Sequence, residues 1–407
     1  MKNIVIVGGS YVGLMASQEI IKLLPRDSDL RVVVVEKNSH FSHLFAYPRF
    51  AIVPNHELKA FLPFATMLPS PHKILPATKV LAVSPERRAV RVLDSSTGVE
   101  SELDYEVLIL ATGTRLSPPG TIPGDGTKRQ GVEYLRSLQA RLAGSKRIVI
   151  LGGGAIGCQM ACDLATLYPP SQTGKSITLL HSRHDLLPLF HPRLSEIVKD
   201  RFRELGVSTV LGSRAKIPDG GFRDTPGEEV LIETDDGRTL LADCVIQSTG
   251  QTPNSDLVTA FAPSAIASNG FVSVQKSLLV EPGDEAEKGL VSGRIFAIGD
   301  IANIGAQKAA RPAMQHSQVL ARNVVRVLSG EDSLEAITVS PAALHLTLGV
   351  TRSVVFRNPA NRDPATGRWD GEPQVVWKDD GREDMAIEDV WERRLGKRQR
   401  DAAEFHL

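Results

Sequence analysis

Two short glycine-rich segments, residues 8–13 and 152–157, contain the residue types best suited to chemistry in this chain. Each follows an apolar run and precedes a helical pattern, so its backbone N–H groups and the helix dipole would face the pyrophosphate of a dinucleotide. One such loop indicates one bound dinucleotide. Two loops indicate a pair of dinucleotides held against each other, as in hydride transfer from a nicotinamide to a flavin.

The elements that must position these loops repeat along the chain. Residues 3–7 and 31–36 have the pattern of buried parallel strands, and residues 14–24 between them have that of a helix. A second strand–helix–strand unit is predicted at 146–151, 155–168 and 176–180. Further strands are expected at 80–92 and 105–111. The apolar run ending in Thr112-Gly113 is echoed by the run ending in Thr249-Gly250, so the chain carries a weak internal duplication.

The residues that end the second strand of each unit differ in charge. In the first unit, Glu36 ends the second strand and should accept hydrogen bonds from the adenosine ribose hydroxyls. The second unit ends in His181-Ser182-Arg183, without an acid, and Arg183 favours the 2′-phosphate of NADPH over NADH. Use of both nucleotides remains open, as does the alternative that Arg183 is a solvated surface charge.

Gly299-Asp300 follows another apolar run and precedes a helical pattern over residues 312–328. An aspartate there can bind the ribityl hydroxyls of a flavin, while the helix N-terminus faces the electron-rich side of the ring. The dipeptide gains weight because it follows two dinucleotide units in the expected order.

Composition limits the classes of function. A length of 407 residues indicates two or three domains, and 47 basic against 47 acidic residues give no support to nucleic-acid binding. Three cysteines are too few for a disulfide framework and favour a reducing, cytoplasmic compartment. We expect no transmembrane helix, no cleaved leader before the strand at residue 3, no N-myristoylation because residue 2 is Lys, and no metal site.

The order of these motifs resembles the two-dinucleotide flavoprotein superfamily over nearly the whole chain. Within it, the sequence resembles the apoptosis-inducing-factor-like branch, which includes the ferroptosis-suppressor NAD(P)H:quinone oxidoreductases and their fungal homologues. The resemblance to this branch depends on less specific similarities, which lie in residues 38–49, residues 157–163 and a short tail around 384–395. The resemblance implies an α/β fold with two Rossmann-like domains, FAD, NADPH or NADH as hydride donor, and a quinone or similar small acceptor.

The implied boundaries are 1–118 and 265–334 for the FAD-binding domain, 119–264 for the NAD(P)H-binding domain and 335–407 for a small C-terminal segment. The expected FAD contacts are Gly8, Gly9, Ser10, Tyr11, Val12, Gly13, Glu36, Lys37, Arg49, Val80, Ala111, Thr112, Gly113, Gly299 and Asp300. The expected NAD(P)H contacts are Gly152, Gly154, Ala155, Ile156, Gly157, Ser182, Arg183, Thr249 and Gly250.

Three residues are candidates for catalysis by this resemblance. Gln159 stands where many relatives carry a glutamate near nicotinamide and flavin, and Gln315 and His316 are candidates for the acceptor side. Helix-surface or packing roles remain open for Gln315 and His316. Arg49 would lie toward the flavin or the pyrophosphate, and a surface cation is the alternative.

Thiol chemistry is disfavoured. Disulfide reductases of this architecture carry a cysteine pair beside the flavin, on the helix after the first acid, and residues 37–75 contain no cysteine. Cys158 and Cys162 lie one helical turn apart on the second unit and are expected to pack. Three hypotheses therefore remain: a quinone oxidoreductase, a biosynthetic flavoenzyme acting on one aromatic metabolite, and an apoptosis-inducing-factor-like redox-sensing protein.

The tail departs from the family pattern. Gly381 stands where the family has a flavin-side lysine, with Lys378 and Arg382 nearby. The basic stretch 392–400 suggests either a solvated helix end, which is favoured, or peripheral contact with anionic lipid headgroups. The oligomeric state is left undetermined.

Overall fold

The computed structural model describes residues 1–222, 227–291, 293–305, 307–308, 310–396 and 402–406. Its α-helices are α1 Tyr11–Leu23, α2 Tyr47–Phe50, α3 Lys128–Gly144, α4 Ala155–Leu167, α5 Pro170–Thr173, α6 Pro192–Leu205, α7 Asp256–Phe261, α8 Glu285–Val291, α9 Ala310–Leu328 and α10 Ile387–Leu395. Short 3₁₀ helices lie at Leu44–Ala46, Glu57–Ala60, Pro263–Ala265, Gly299–Ile301 and Ala402–His406.

The strands fall into several small sheets. In chain order they are β1 Lys2–Val7, β2 Leu30–Val35, β3 Phe41–Ser42, β4 Phe61–Leu62, β5 Lys73–Leu75, β6 Thr78–Ser84, β7 Ala89–Asp94, β8 Glu100–Asp104, β9 Val107–Leu110, β10 Thr114–Leu116, β11 Arg147–Leu151, β12 Ser176–His181, β13 Ser208–Leu211, β14 Val230–Glu233, β15 Thr239–Ala242, β16 Cys244–Gln247, β17 Gln251–Pro253, β18 Val272–Ser273, β19 Ile295–Ala297, β20 Ala302–Asn303, β21 Ala343–Thr347, β22 Ser353–Arg357, β23 Asn361–Arg362, β24 Trp369–Asp370 and β25 Gln374–Lys378.

Two parallel sheets form the frame of the fold. The first has the order β19-β9-β1-β2-β5, and the second has the order β13-β12-β11-β16. Helix α1 and helix α9 pack on the first sheet, where Ile4, Ile20 and Val324 are fully buried in one apolar cluster. Strands that are covered on both faces read as continuous apolar runs, which is why β1 and β11 were predictable from sequence. The α/β fold class is confirmed.

The internal duplication is confirmed by strand pairing. In the first sheet β1 lies between β2 and β9, and in the second β11 lies between β12 and β16, parallel in every case. Each central strand runs into its glycine loop and then into a helix. The carboxyl ends of the strands therefore present both loops at the edge where ligands bind in open α/β sheets.

Two sequence expectations were wrong. Residues 80–92, expected as one strand, form the hairpin β6–β7 because the chain turns at 85–88, where Arg88 adopts a left-handed φ of 51°. The sheet continues antiparallel into β8. Helix α3 was not expected. It begins at Lys128, is capped by Thr127, whose side chain accepts a hydrogen bond from the Gln130 N–H, and buries Leu135 and Leu142.

The second parallel sheet lies within an insertion whose two chain connections to the first sheet run side by side. Strand β10 leaves the first unit and β17 returns to it, and the two pair antiparallel, with Thr114 opposite Pro253. Beside them, the Thr112 hydroxyl donates to the Asn254 carbonyl and the Asn254 amide donates to the Thr112 carbonyl, each at 2.8 Å. The two Thr-Gly turns are thus fixed near each other.

The C-terminal segment forms the antiparallel sheet β21-β22-β25 and helix α10. Trp391 on α10 is fully buried and donates its indole N–H to the Lys59 carbonyl at 2.7 Å, which joins the segment to the first unit. Residues 358–373 include the small hairpin β23–β24. In the basic stretch, residues 397–400 lie outside the described residues. Within the described ranges, no helix has both the length and the apolar character needed to cross a bilayer.

Candidate functional site

The first glycine loop is closed by contacts that only glycine allows. Gly8 has a φ of +106°, and a methyl group on it would collide with the carbonyl group of Ala111 at the end of β9. A methyl group on Gly13 would collide with the Gly8 carbonyl. The loop therefore lies tightly between β1, β9 and α1, with Ser10 as N-cap and Tyr11 as first residue of the helix.

Glu36 is buried under this loop with its carboxylate oriented by two backbone donors. One oxygen accepts from the Gly9 N–H at 2.5 Å and the other from the Asn38 N–H at 2.8 Å. Burial raises the pKa of Glu36, and the hydrogen bonds from Asn38 and Gly9 act in the opposite direction. Because a carboxylate accepts several hydrogen bonds, both oxygens retain capacity for ribose hydroxyls.

Glu36→Ala is expected to weaken FAD binding by about 10- to 100-fold, because hydrogen bonds to a charged group contribute about 1.5–3 kcal/mol. Fluorescence titration of the apoprotein with FAD measures the change. Glu102→Ala, which removes an exposed carboxylate on β8, is the control. An unchanged dissociation constant in Glu36→Ala would remove Glu36 from the ribose site.

The Gly299-Asp300 turn meets the first loop directly. A methyl group on Gly299, whose φ is +80°, would lie 3.1 Å from both methyl groups of Val12. Burial raises the pKa of the Asp300 carboxyl, and Lys308 lowers it. A small cavity beside this turn is lined by Asp300, Lys308 and His316, which brings one acceptor-side candidate next to the predicted ribityl contact.

His316 and Gln315 are neighbours on α9 but have different surroundings. His316 is buried, its Nε2 lies 3.3 Å from the Thr338 carbonyl, and burial lowers its pKa. Gln315 is exposed and accepts a 3.4 Å hydrogen bond from the Ser340 hydroxyl. The structure therefore brings His316, and not Gln315, to the cavity at Asp300.

Arg49 requires a correction. The residue is fully buried, which excludes the surface-cation alternative, and it forms a bidentate ion pair with Asp163 at 2.7 and 2.9 Å. Its remaining N–H groups donate to the carbonyls of Gly349, Val350 and Arg382 at 3.1, 3.1 and 3.5 Å. The guanidinium has only five N–H donors and all are engaged within the protein, so Arg49 has no donor left for the flavin or pyrophosphate toward which it was expected to lie.

Several other expected FAD contacts lie around the first loop. Ala111 borders Gly8 and Gly13 directly, and Thr112 and Gly113 follow it in the turn clamped by Asn254. Val80 is partly buried at a bulge of β6, and Lys37 is exposed beyond Glu36. These positions are compatible with the predicted roles and do not test them.

The second loop repeats the first. Gly152 has a φ of +115°, and a methyl group on it would collide with the Ser248 carbonyl, just as Gly8 meets Ala111. The Ser248 hydroxyl also donates to the carbonyls of Leu151 and Gly152 at 3.0 and 3.2 Å, a role that the sequence reasoning missed. Its position before Thr249-Gly250, matching Ala111 before Thr112-Gly113, was the available signal. Gly154 has open space where its side chain would be, and Ala155, Ile156 and Gly157 begin α4.

His181 takes the place in this unit that Glu36 has in the first. Its Nδ1 accepts from the Gly153 N–H at 3.0 Å, so a neutral ring carries its proton on Nε2. This Nε2 is buried and has no partner at hydrogen-bond geometry among the described residues, although the Asp185 backbone is close enough to raise the pKa of the ring. Burial lowers the pKa of His181, and the nearby charges of Arg183 and Arg214 lower it further. Ser182 is half-buried and Arg183 is exposed.

Gln159 lies one turn into α4, near the buried ion pair of Arg49 and Asp163. Its Nε2 is buried and has no partner with hydrogen-bond geometry, although the amide is close enough to lower the pKa of Asp163, which burial raises. An unsatisfied amide donor at this position is a group that a bound ligand can pair. Asp163 has a structural role as the partner of Arg49.

The three thiols are free and buried, and Cys158 and Cys162 belong to the large apolar core. Burial raises the pKa of both, so neither is a ready nucleophile.

The two loops fit two dinucleotides. Each is a cradle that a Cβ would fill, one backed by the buried carboxylate of Glu36 and the other by the imidazole of His181, and they lie on two joined parallel sheets. These features define a two-dinucleotide flavoprotein. The chain belongs to the pyridine nucleotide-disulphide oxidoreductase family, which matches residues 2–319. It is an oxidoreductase that uses FAD and NAD(P)H.

Known proteins resemble the chain along most of its length. Fe-regulated protein 8 of Mycosarcoma maydis is 33% identical, covering 97% of this chain and 95% of that protein. Ferroptosis suppressor protein 1 of Homo sapiens is 26% identical over 86% of this chain and 87% of its own. The sulfide:quinone oxidoreductase of Aquifex aeolicus shares the fold, with a TM-score of 0.72 at 17% identity, covering 99% and 94% of the two chains.

Proposed function

We propose that this oxidoreductase passes electrons from NADPH through FAD to a quinone or a similar planar acceptor. The observation that supports this proposal most strongly is the composition of residues 41–50, the segment that follows Glu36. It contains no cysteine, and its aromatic and histidine side chains pack against Tyr11 of the first loop. Without a thiol there, the acceptor must take electrons from the flavin itself.

The aromatic cluster, formed by Tyr11, Phe41, His43 and Phe45, suits a flat apolar acceptor. The Tyr11 ring lies 5.1 Å from Phe41 edge-on and 4.9 Å from Phe45, centroid to centroid. Phe45 remains 53% exposed, so the cluster is open to solvent on one side. An exposed aromatic beside a buried one offers stacking area to a ring-shaped ligand.

Bound FAD and NADPH supply the hydride chemistry, and the chain supplies binding and orientation. The loop amides and Glu36 would hold the adenosine end of FAD, and Asp300 would bind its ribityl chain. Gln159 would offer an amide N–H that has no partner at hydrogen-bond geometry among the described residues. We infer a FAD-binding domain of residues 1–118 and 265–334 around these groups, a nucleotide-binding domain of 119–264 and a C-terminal segment of 335–407.

We further infer a preference for NADPH over NADH. In an NADH site an acid at the end of the second strand accepts from the ribose hydroxyls, as Glu36 can for FAD. His181 instead offers an N–H donor, and Arg183 and Arg214 add positive charge around it. Donors and cations suit a 2′-phosphate and give an unphosphorylated ribose no acceptor.

Arg183→Ala is expected to raise the Michaelis constant for NADPH about 10-fold and that for NADH less than 2-fold, because only NADPH carries the phosphate that Arg183 would pair. Steady-state kinetics with both nucleotides measures the ratio. Arg193→Ala, on the exposed first turn of α6, is the matched control. Equal changes for the two nucleotides would contradict the preference.

Anaerobic stopped-flow spectroscopy tests the function as a whole. Mixing the purified yellow protein with NADPH should bleach the flavin band, and mixing the reduced protein with a quinone panel should restore it. A flavin that NADPH leaves oxidised would contradict the donor, and a reduced flavin that no quinone reoxidises would contradict the acceptor. The three free cysteines support a reducing, cytoplasmic compartment for this reaction.

A further inference from the structure

A tyrosine and a histidine are hydrogen-bonded inside the aromatic cluster. The Tyr11 hydroxyl oxygen lies 2.7 Å from Nδ1 of His43, and the His43 side chain is 9% exposed. Tyr11 is the first residue of α1, directly after the loop that closes on FAD, and His43 immediately precedes the 3₁₀ helix Leu44–Ala46. The pair therefore bridges the first loop and the segment after the first acid.

Both groups of the pair are neutral at pH 7. Burial raises the pKa of Tyr11, while the nearby Phe45 backbone N–H and the Arg394 charge lower it. Burial lowers the pKa of His43 to about 4, with further lowering from Arg394 and Arg393. In the His43 tautomer protonated at Nδ1, that N–H donates to the Tyr11 oxygen and leaves the Tyr11 O–H free for another acceptor.

A cation from the C-terminal segment covers the pair. The Arg394 guanidinium on α10 lies 4.5 Å from the Phe41 ring centroid and 5.8 Å from that of Tyr11. Among the described residues, no carboxylate forms an ion pair with Arg394. Its charge is therefore directed at the aromatic rings, where it would stabilise negative charge developing on a phenolic oxygen.

The pair lies on the flavin side of the loop. Glu36 would bind the adenosine end of FAD, and the Gly299-Asp300 turn, which contacts Val12, would bind the ribityl end. Tyr11 adjoins Val12 in the chain, and its ring packs on the exposed Phe45. The Tyr11 ring thus borders the open side of the cluster, where a planar acceptor would stack.

We propose that Tyr11 is the proton donor to the electron acceptor, and that His43 and Arg394 are positioning residues that orient its hydroxyl and stabilise its anion. The proposal rests on the proposed function, because an acceptor that takes up protons is required. Nothing in the phosphate-binding role of the loop calls for a hydroxyl at position 11, since backbone amides bind the pyrophosphate.

The step balances with the two-electron chemistry of the enzyme. Each NADPH delivers two electrons and one proton as hydride, whereas a quinone takes up two electrons and two protons to become a hydroquinone. In the proposed step the Tyr11 O–H bond breaks and an O–H bond forms on the acceptor oxygen. A proton from water then restores the phenol, so that NADPH, one proton and quinone yield NADP⁺ and hydroquinone.

Tyr11→Phe tests the donor by comparing two acceptors of the reduced, FAD-loaded protein. Reoxidation by ubiquinone-1 is expected to slow about 100-fold, the scale of general acid catalysis. Reoxidation by ferricyanide, which takes up electrons without protons, should stay within about 2-fold, as should flavin reduction by NADPH. Tyr47→Phe removes another buried phenol of the same segment and should change neither rate.

His43 variants separate positioning from packing. His43→Ala is expected to slow the ubiquinone-1 step about 10-fold, the value of one lost hydrogen bond of about 1.4 kcal/mol. His43→Asn places a side-chain amide N–H near the Nδ1 position and should restore most of that rate. Independently of turnover, ¹⁵N NMR of histidine-labelled protein should show a protonated, hydrogen-bonded Nδ1 on His43 whose resonance changes in Tyr11→Phe.

The outcomes distinguish the donor role of Tyr11 from the proposed function on which it rests. If ubiquinone-1 fails to reoxidise the reduced wild-type enzyme, both the quinone function and the donor role are overturned. If ubiquinone-1 reoxidises the wild-type enzyme and Tyr11→Phe at equal rates, only the donor role is overturned. Equal slowing of ubiquinone-1 and ferricyanide, or a His43 resonance that Tyr11→Phe leaves unchanged, would also overturn it.

Discussion

Asp163→Ala is expected to lower the free energy of unfolding by about 3–5 kcal/mol, the cost of leaving one buried charge unpaired. Arg49 is fully buried, and Asp163 is its only carboxylate partner among the described ion pairs. The same guanidinium also holds the carbonyls of Gly349 and Val350, so the loss should loosen the C-terminal segment as well. Urea denaturation followed by circular dichroism measures the change.

The double variant Arg49→Met with Asp163→Leu supplies the sharper comparison. Because it removes both charges, it should be less destabilised than Asp163→Ala alone. Glu133→Ala breaks the exposed pair with Arg129 on α3 and should leave the denaturation midpoint unchanged. If Asp163→Ala and the wild-type protein have the same urea midpoint, the Arg49–Asp163 pair does not stabilise the contact between the first unit, the second unit and the C-terminal segment.

Gly8→Ala is expected to yield protein without bound FAD, or with FAD affinity lowered at least about 100-fold. The alanine would have to adopt a φ of +106° and would collide with the Ala111 carbonyl. The left-handed strain alone costs about 1–3 kcal/mol. Relief of the collision would shift the loop whose amides face the pyrophosphate. Absorbance of the purified protein at the flavin band measures occupancy.

Two further variants show whether the effect belongs to the loop. Gly98→Ala, in the turn between β7 and β8, carries the same kind of strain at a φ of +73° but meets nothing within 4 Å, and it should stay yellow. Gly152→Ala should stay yellow too but fail to be bleached by NADPH, because its collision lies in the second loop. A fully yellow Gly8→Ala protein would contradict the assignment of the first loop to FAD.

The repeated units could be predicted because their signals are local and strong. Apolar runs of five or six residues, glycines at fixed spacing and a terminal acid or its absence were enough to place β1, α1, β2 and their counterparts. The turn at Arg88 was missed because neither glycine nor proline stands at the position that takes the left-handed conformation. Helix α3 was missed because its N-cap Thr127 is the only start signal in its sequence, and it lies between the stronger motifs at Thr112-Gly113 and residues 152–157.

The site was harder to predict wherever it depends on distant parts of the chain. Arg49 lies 114 residues from Asp163 and some 300 from the carbonyls that complete its shell, so its burial could not be deduced from its neighbours in sequence. The Tyr11–His43 bond and its cover by Arg394 likewise join three separate segments. His181 could have been foreseen, since it ends its strand in the register that Glu36 occupies in the first unit.

The antiparallel pairing of β10 with β17 has a consequence for the ancestry and engineering of the chain. The polypeptide leaves the first sheet and re-enters it at adjacent points, Thr114 opposite Pro253. A copied unit spliced into an ancestral gene at such a place need not disturb the host, because its ends already meet. Replacing residues 117–250 with a tight hairpin would also remove Asp163, so a minimal protein with the first nucleotide cradle alone needs an apolar residue in place of the buried Arg49.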